Sequence, residues 1–370
     1  MTQSQNVALY FHRLGDVGGG AERMICAFAG ALADRGFAVH LASWDSAAAR
    51  TFYPLDRRVI WHKLGAPTGL RGKFARIMAL YRVLRDNQVS VLAGFVMSGD
   101  RTVYAAARLA GVRLIAAERN GPTLYRLRHG ALTRLATFAS LHLTDAIAVQ
   151  FPTYVQGYPR TLRRRIRVIP NPVQPAAACA APDKSNADGR FTLLAVGRLD
   201  SVQKRPALLV QAFSRLDQRF TDWQLCLVGD GPAEAELRRM VEALGLGERV
   251  RIGATVTDLQ DAYSAAHLFV TPSRWEGFPN ALAEAMAHGL PAVGFRDADG
   301  VAELVVDSET GWLADGLDDP DALTLALEQA MSDPQARRRR GRLAVRAMRR
   351  YEPEVQFDLW VDLMRDLARP

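Results

Sequence analysis

HLFVTPSRWEGFPNALAEAMAHGLPAVGF runs from His267 to Phe295, and three patterns succeed one another within it. HLFVTPS (267–273) is a short apolar run bounded by a turn signal, as strands are. ALAEAMAHG (281–289) is an alanine-rich stretch closed by Gly289, as helices are. PAVGF (291–295) is a second apolar run. Strand, helix and strand so closely spaced form a βαβ unit, whose two strands lie parallel in one sheet. Open sheets of this kind bind ligands beyond the carboxyl ends of their strands. SRWEGFPN, which leaves the first strand, therefore stands where a site would form. Pro279 cannot extend the strand, and Asn280 is expected to cap the helix. The helix N-terminus offers free N–H groups suited to phosphate. Glu276 lies in the loop and Glu284 one turn into the helix, eight positions apart.

The same alternation runs through the chain twice. VALYF (7–11), VHLAS (39–43), VSVLAGFVM (89–97), VRLIAA (112–117) and AIAVQ (146–150) read as buried parallel strands of a first half. FTLLAVG (191–197), WQLCLVGDG (223–231), RVRIGA (249–254), HLFVTPS and PAVGF repeat the scheme in a second. At 370 residues two domains are the default. The reading is α/β: an N-terminal doubly wound domain over 1–170, a Pro- and Ala-rich linker over 171–190, and a C-terminal domain over 191–352. The last segment is helical (353–370), and its Val355, Leu359, Leu363 and Leu367 recur at helical spacing as a docking face.

Composition narrows the classes. An apolar content of 49% with 23% charged residues describes an ordinary globular protein. No apolar run reaches the roughly 18 residues of a membrane span, and the N-terminus lacks the pattern of a signal peptide. Three scattered cysteines fit a reducing compartment, so a cytoplasmic location is expected. Charge is divided unevenly: residues 1–170 hold 24 Lys and Arg against 9 Asp and Glu, a net of +15, which leaves −7 for the remainder. The first half is thus suited to an anionic partner: nucleic acid, an anionic membrane surface or a phosphorylated acceptor. Arginines spread over helices without stacking aromatics speak against nucleic acid. KFARIMALYRVLR (73–85) and TLYRLRHGALTRLATFASL (123–141) interleave basic and apolar residues in the manner of an interfacial surface.

A family resemblance rests on several motifs in order. Gly19-Gly20-Ala21-Glu22, Ile169-Pro170-Asn171-Pro172, Val196-Gly197-Arg198-Leu199 with Lys204, Val228-Gly229-Asp230-Gly231-Pro232 and the Glu276/Glu284 pair resemble the retaining GT-B glycosyltransferases of family 4, also called group 1. The resemblance implies two Rossmann-like domains facing across a cleft, with the last helix crossing back to the first domain. It implies transfer of a sugar from a nucleoside diphosphate sugar, UDP- or GDP-linked, to a glycan or lipid-linked saccharide. Arg198 and Lys204 would neutralise the diphosphate, Glu276 would hold the transferred sugar, and Glu284 the ribose. Phe278, Pro279, Asn280, Ala281 and Leu282 would cover sugar and phosphate, with Gly19 and Gly20 close to the leaving phosphate. Gly253 and Ala254 would meet the base. No metal or other cofactor is implied: the leaving diphosphate would itself take the acceptor's proton, and Asp318-Asp319 reads as a helix cap. Glu118, Arg119 and Asn120, in the manner of a branch that transfers N-acetylgalactosamine, would bind the acceptor together with Arg126 and Arg128. Peripheral association with the inner leaflet of the cell membrane is expected from the basic first half. Two alternatives stay open, a GT-B-fold nucleotide-sugar epimerase and a nucleic-acid-binding protein.

Overall fold

A computed structural model describes residues 5–15, 19–65, 67–95, 97, 100–127, 130–216, 218–254 and 258–369, and it divides into two compact units. Residues 1–172 with 354–370 form the first, and Val173–Pro353 the second.

The first unit holds a seven-stranded sheet. Its strands are β1 (Asn6–Phe11), β2 (Ala38–Ser43), β3 (Ile60–Lys63), β4 (Val91–Phe95), β5 (Arg113–Ala117), β6 (Ala146–Val149) and β7 (Ile166–Val168). They are all parallel, in the order β3-β2-β1-β4-β5-β6-β7. The chain steps outward from β1 in one direction, then returns to β4 and steps in the other. The reversal lies between β1 and β4, where ligands are received in doubly wound sheets.

The terminal helix Pro353–Ala368 belongs to this unit. Phe357, Trp360, Val361, Leu363 and Met364 enter one core with Phe28 and Ile25 of helix Gly20–Asp34 and Phe95 of β4. Phe28 meets Phe357 and Trp360 at ring separations of 5.8 and 5.1 Å. Each large side chain so buried contributes about 1.5–3 kcal/mol. The docking face is only partly the one that spacing picked out. Leu363 is buried in this core and Leu367 packs against it, whereas Val355 and Leu359 are exposed and Phe357, Trp360 and Met364 complete the buried face.

The second unit holds six parallel strands: β8 (Phe191–Val196), β9 (Trp223–Val228), β10 (Val250–Gly253), β11 (Leu268–Thr271), β12 (Ala292–Phe295) and β13 (Gly311–Ala314). Their order is β10-β9-β8-β11-β12-β13, so this sheet reverses between β8 and β11. Residues 173–190 also fold with this unit: Ala180 N–H donates to His288 O, and the buried Arg337 donates to Pro182 O.

Candidate functional site in the second unit

The site grows from the loops that leave β8 and β11. After Val196 the backbone keeps pairing with the loop after β9: Gly197 N–H donates to Val228 O at 3.0 Å and Leu199 N–H to Asp230 O at 2.8 Å. This contact explains the glycines of VGDGP. A Cβ on Gly229 would lie 2.0 Å from Gly197 O, and one on Gly231 would lie 2.3 Å from Leu199 O. Both obstacles are backbone, so neither can move aside.

Asp200 then closes a tight turn. Its Oδ1 accepts from the N–H groups of Val202 and Gln203, and its Oδ2 from Arg198 Nε at 3.2 Å. Burial opposes the charge on Asp200, yet the N–H of Gln203 and the Arg198 guanidinium hold its carboxyl below the usual range. Arg198 is exposed, two residues beyond the strand end. Lys204 lies in the same turn, two residues before the helix Pro206–Ser214.

This loop is laced to the loop after β11. Arg274 N–H donates to Gln203 O at 2.8 Å, Gln203 Nε2 to Trp275 O at 3.1 Å, and Arg205 Nε to Pro272 O at 2.9 Å. Lys204 Nζ donates to Glu276 Oε1 at 2.5 Å. Glu276 is buried, at 5% exposure, and its own N–H donates to Asp299 O. Arg205 is buried in the left-handed backbone region, with φ at +49°. Its Nη1 also reaches Leu317 O and Asp318 Oδ1, and burial pushes its pKa down to about 10 despite Asp318. A small open pocket sits over these strand ends, lined by Gly197, Arg198, Lys204, Thr271 and Ser273 among others.

Glu284 stands half-buried in the helix Asn280–Ala287 and accepts from Tyr263 Oη at 3.0 Å. Asn280 does not cap that helix. It is the first helical residue, and Pro279 occupies the capping position. Phe278, Pro279 and Leu282 are buried, while Ala281 is half-buried. Gly253 and Ala254 are exposed at the end of β10, where Gly253 O accepts from Gly229 N–H. Asp319 caps the helix Pro320–Ser332 through Asp321 N–H, and Asp318 pairs with Arg205 and Arg274.

In the first unit, Gly19 and Gly20 form the cap and first residue of their helix. Asp45 braces the approach to it by accepting from the N–H groups of Leu14 and Gly15. Glu118 and Arg119 do not stand as an open acceptor patch. Glu118 is buried against the Tyr125 hydroxyl, and burial pushes its pKa up to about 7 even with Arg119 beside it. The Arg119 guanidinium lies against the rings of both Phe95 and Trp360 and donates to Asn171 Oδ1 at 2.9 Å. Burial pushes the pKa of Arg119 down to about 9. Two of its nitrogens, Nε and Nη2, are buried with no hydrogen-bond partner among the described residues. Asn120 is half-buried. Arg128 and the side chain of Arg126 lie outside the described residues.

Sequence reading missed Asp200, Gln203, Arg205 and Asp45. Asp200 carried a signal, since an Asp in LDSVQK favours a side-chain-capped turn. Arg205 carried none, because its bonds are to carbonyls far away in sequence.

Comparison with known proteins now fits onto this geometry. Residues 180–346 match the family model described as Glycosyl transferases group 1. An uncharacterized glycosyltransferase of Haemophilus influenzae is 35% identical over 124 residues, which are 34% of this chain and 35% of that protein. The amylovoran biosynthesis glycosyltransferase AmsD of Erwinia amylovora is 30% identical over 172 residues, 46% of this chain and 47% of its own. The chain thus spans less than half the length of either relative. Across the whole chain, the pneumococcal O-GlcNAc transferase GtfA, solved with UDP and GlcNAc, superposes with a TM-score of 0.79 at 12% identity, covering 100% of both. The second unit thus resembles the group 1 glycosyl transferases over residues 180–346, and the likeness across the whole chain shows a GT-B fold.

Proposed function

We propose that this chain is a retaining glycosyltransferase that moves a sugar from a nucleoside diphosphate sugar to a glycan or lipid-linked saccharide. One observation carries the reading: Arg198, Lys204 and Glu276 gather at the carboxyl ends of β8 and β11, where their sheet reverses. A diphosphate needs cations and backbone amides, and both are offered here. Arg198 and Lys204 stabilise charge growing on the leaving group, with the N-terminus of helix Asn280–Ala287 close to Glu276 in sequence. Glu276 accepts from hydroxyls of the transferred sugar and Glu284 from the ribose. UDP-sugars, N-acetylhexosamines among them, are the first donors to try, and GDP-mannose the next. No metal is assigned a part.

A panel of nucleotide sugars, with and without EDTA, tested for protection against thermal unfolding decides the donor. A shift in melting temperature that persists in EDTA supports the reading. No shift with any member at millimolar concentration counts against it. An epimerase would turn over the selected nucleotide sugar with no acceptor present.

A second observation favours peripheral membrane contact in the cytoplasm. Leu70 and Phe74 on helix Gly69–Asp86, and Leu132 and Leu135 on helix Ala131–Leu141, are 84%, 66%, 83% and 67% exposed. Arg71, Lys73 and Arg134 stand among them. In a parallel sheet both helices begin at the carboxyl edge of the strands, so these residues share one edge of the first unit. Among the described residues no helix is long and apolar enough to cross a membrane. Flotation with anionic liposomes should capture the protein at low salt and lose it as salt rises. Equal capture by neutral liposomes would remove the electrostatic part of this reading.

A further inference from the structure

The Lys204–Glu276 ion pair joins the two groups that the donor needs separately. Lys204 is the cation for the diphosphate, and Glu276 the acceptor for the sugar hydroxyls. Their contact is 2.5 Å, with side chains 27% and 7% exposed, so it is largely withdrawn from solvent. The nearby pair Arg198–Asp200 is different, because Arg198 is 61% exposed there and remains open to solvent.

We infer that this pair is a latch which the donor opens from both ends at once, and which its diphosphate by-product cannot hold open. The inference rests on the donor reading of the site. A phosphate oxygen can draw Lys204 away from Glu276, since a phosphate is an anion of equal or greater charge. The carboxylate then loses its cation while it remains buried, and such a loss is strongly unfavourable. A donor carrying its sugar brings hydroxyl groups that donate to Glu276 in the same event. A nucleoside diphosphate without the sugar brings none. Glu276 then competes with the diphosphate for Lys204 and favours release of the by-product. Glu276 thus acts on the reaction twice, by receiving the sugar and by expelling what remains once the sugar has gone.

Calorimetric titration with UDP and with UDP-N-acetylglucosamine tests this on the intact chain; GDP and GDP-mannose replace them if the thermal panel selects those. Wild type should bind the sugar nucleotide more tightly than the bare diphosphate. Glu276→Gln keeps the size and removes the charge, and it should bind UDP at least tenfold more tightly than wild type. Its preference for the sugar nucleotide over UDP should shrink by a similar factor. Glu276→Asp, whose carboxylate is drawn back by one methylene, should move in the same direction and covers the case in which the Gln variant does not fold. Wild type that binds both ligands, with either folded variant binding UDP no more tightly, overturns the latch and leaves the donor site standing. Wild type that binds neither ligand overturns the donor reading, and the latch with it.

Discussion

Arg205 offers the most direct test of how the site is held. Its guanidinium supplies Pro272 O and Leu317 O with hydrogen bonds of 2.9 and 2.6 Å, and stacks 5.0 Å from the Phe295 ring. Arg205→Ala leaves two carbonyls without these donors, at about 1–3 kcal/mol each. Removal of a guanidinium that burial already disfavours offsets part of that loss. Its Asp318 contact adds little, since Asp318 is 64% exposed. The net expectation is a loss of about 2–4 kcal/mol. Equilibrium urea unfolding followed by tryptophan fluorescence would read it, with Trp275 reporting from the affected loop. Arg205→Gly removes the same bonds but relieves the left-handed backbone, which costs an L-residue about 1 kcal/mol or more. It should therefore be milder than the alanine variant. Both variants should weaken nucleotide binding too, because Lys204 is the adjacent residue. An alanine variant within about 0.5 kcal/mol of wild type, the usual effect of a surface change, would refute the bracing role.

Three further outcomes are expected from the same geometry. Gly229→Ala forces a Cβ against Gly197 O and should lower stability by about 1–3 kcal/mol, read as a drop in urea midpoint. Glu284→Ala should weaken binding of the bare nucleoside diphosphate in calorimetry, whereas Glu276→Ala should bind it at least as tightly as wild type and abolish transfer; a Glu276→Ala protein that binds it as weakly as Glu284→Ala would contradict the division of roles. Glu118 titrates near 7 when folded, far above an exposed carboxyl, so wild type keeps the protonated form's full stability only below about pH 4.5 and loses it as pH rises through 7. Glu118→Gln removes this dependence, and its stability relative to wild type should rise by up to about 3 kcal/mol between pH 5 and pH 8 in paired urea titrations; a constant difference would show that Glu118 is ionised throughout.

The central strands were legible because both faces of the sheet are covered, which leaves unbroken apolar runs such as VALYF and HLFVT. IWHK, IRV and GWLA did not announce themselves, and each forms an edge: β3 and β7 in the first sheet, β13 in the second. An edge strand has one partner, is short, and needs little apolar surface. The terminal helix carried two apolar stripes, and spacing alone could not choose the one bearing Phe357 and Trp360. Within the site, Arg198, Lys204 and Glu276 were readable as chemistry. Their mutual pairing was not, since Lys204 and Glu276 stand 72 positions apart. The Glu118–Arg119 doublet read as acceptor-binding; here the fold buries Glu118 and turns the half-buried Arg119 inward onto Phe95 and Trp360.

The placement of Pro353–Ala368 has a consequence for synthesis. The first unit is written on both sides of the second, which lies uninterrupted between its two parts. A ribosome therefore releases all of Val173–Pro353 before the last helix of the earlier unit emerges. Until then Phe28 and Phe95 have no Trp360 to close over them. The half made first is the half finished last, and it waits with an apolar face open while its younger neighbour folds. A stop codon near position 352 would leave the second unit whole and the first permanently uncovered.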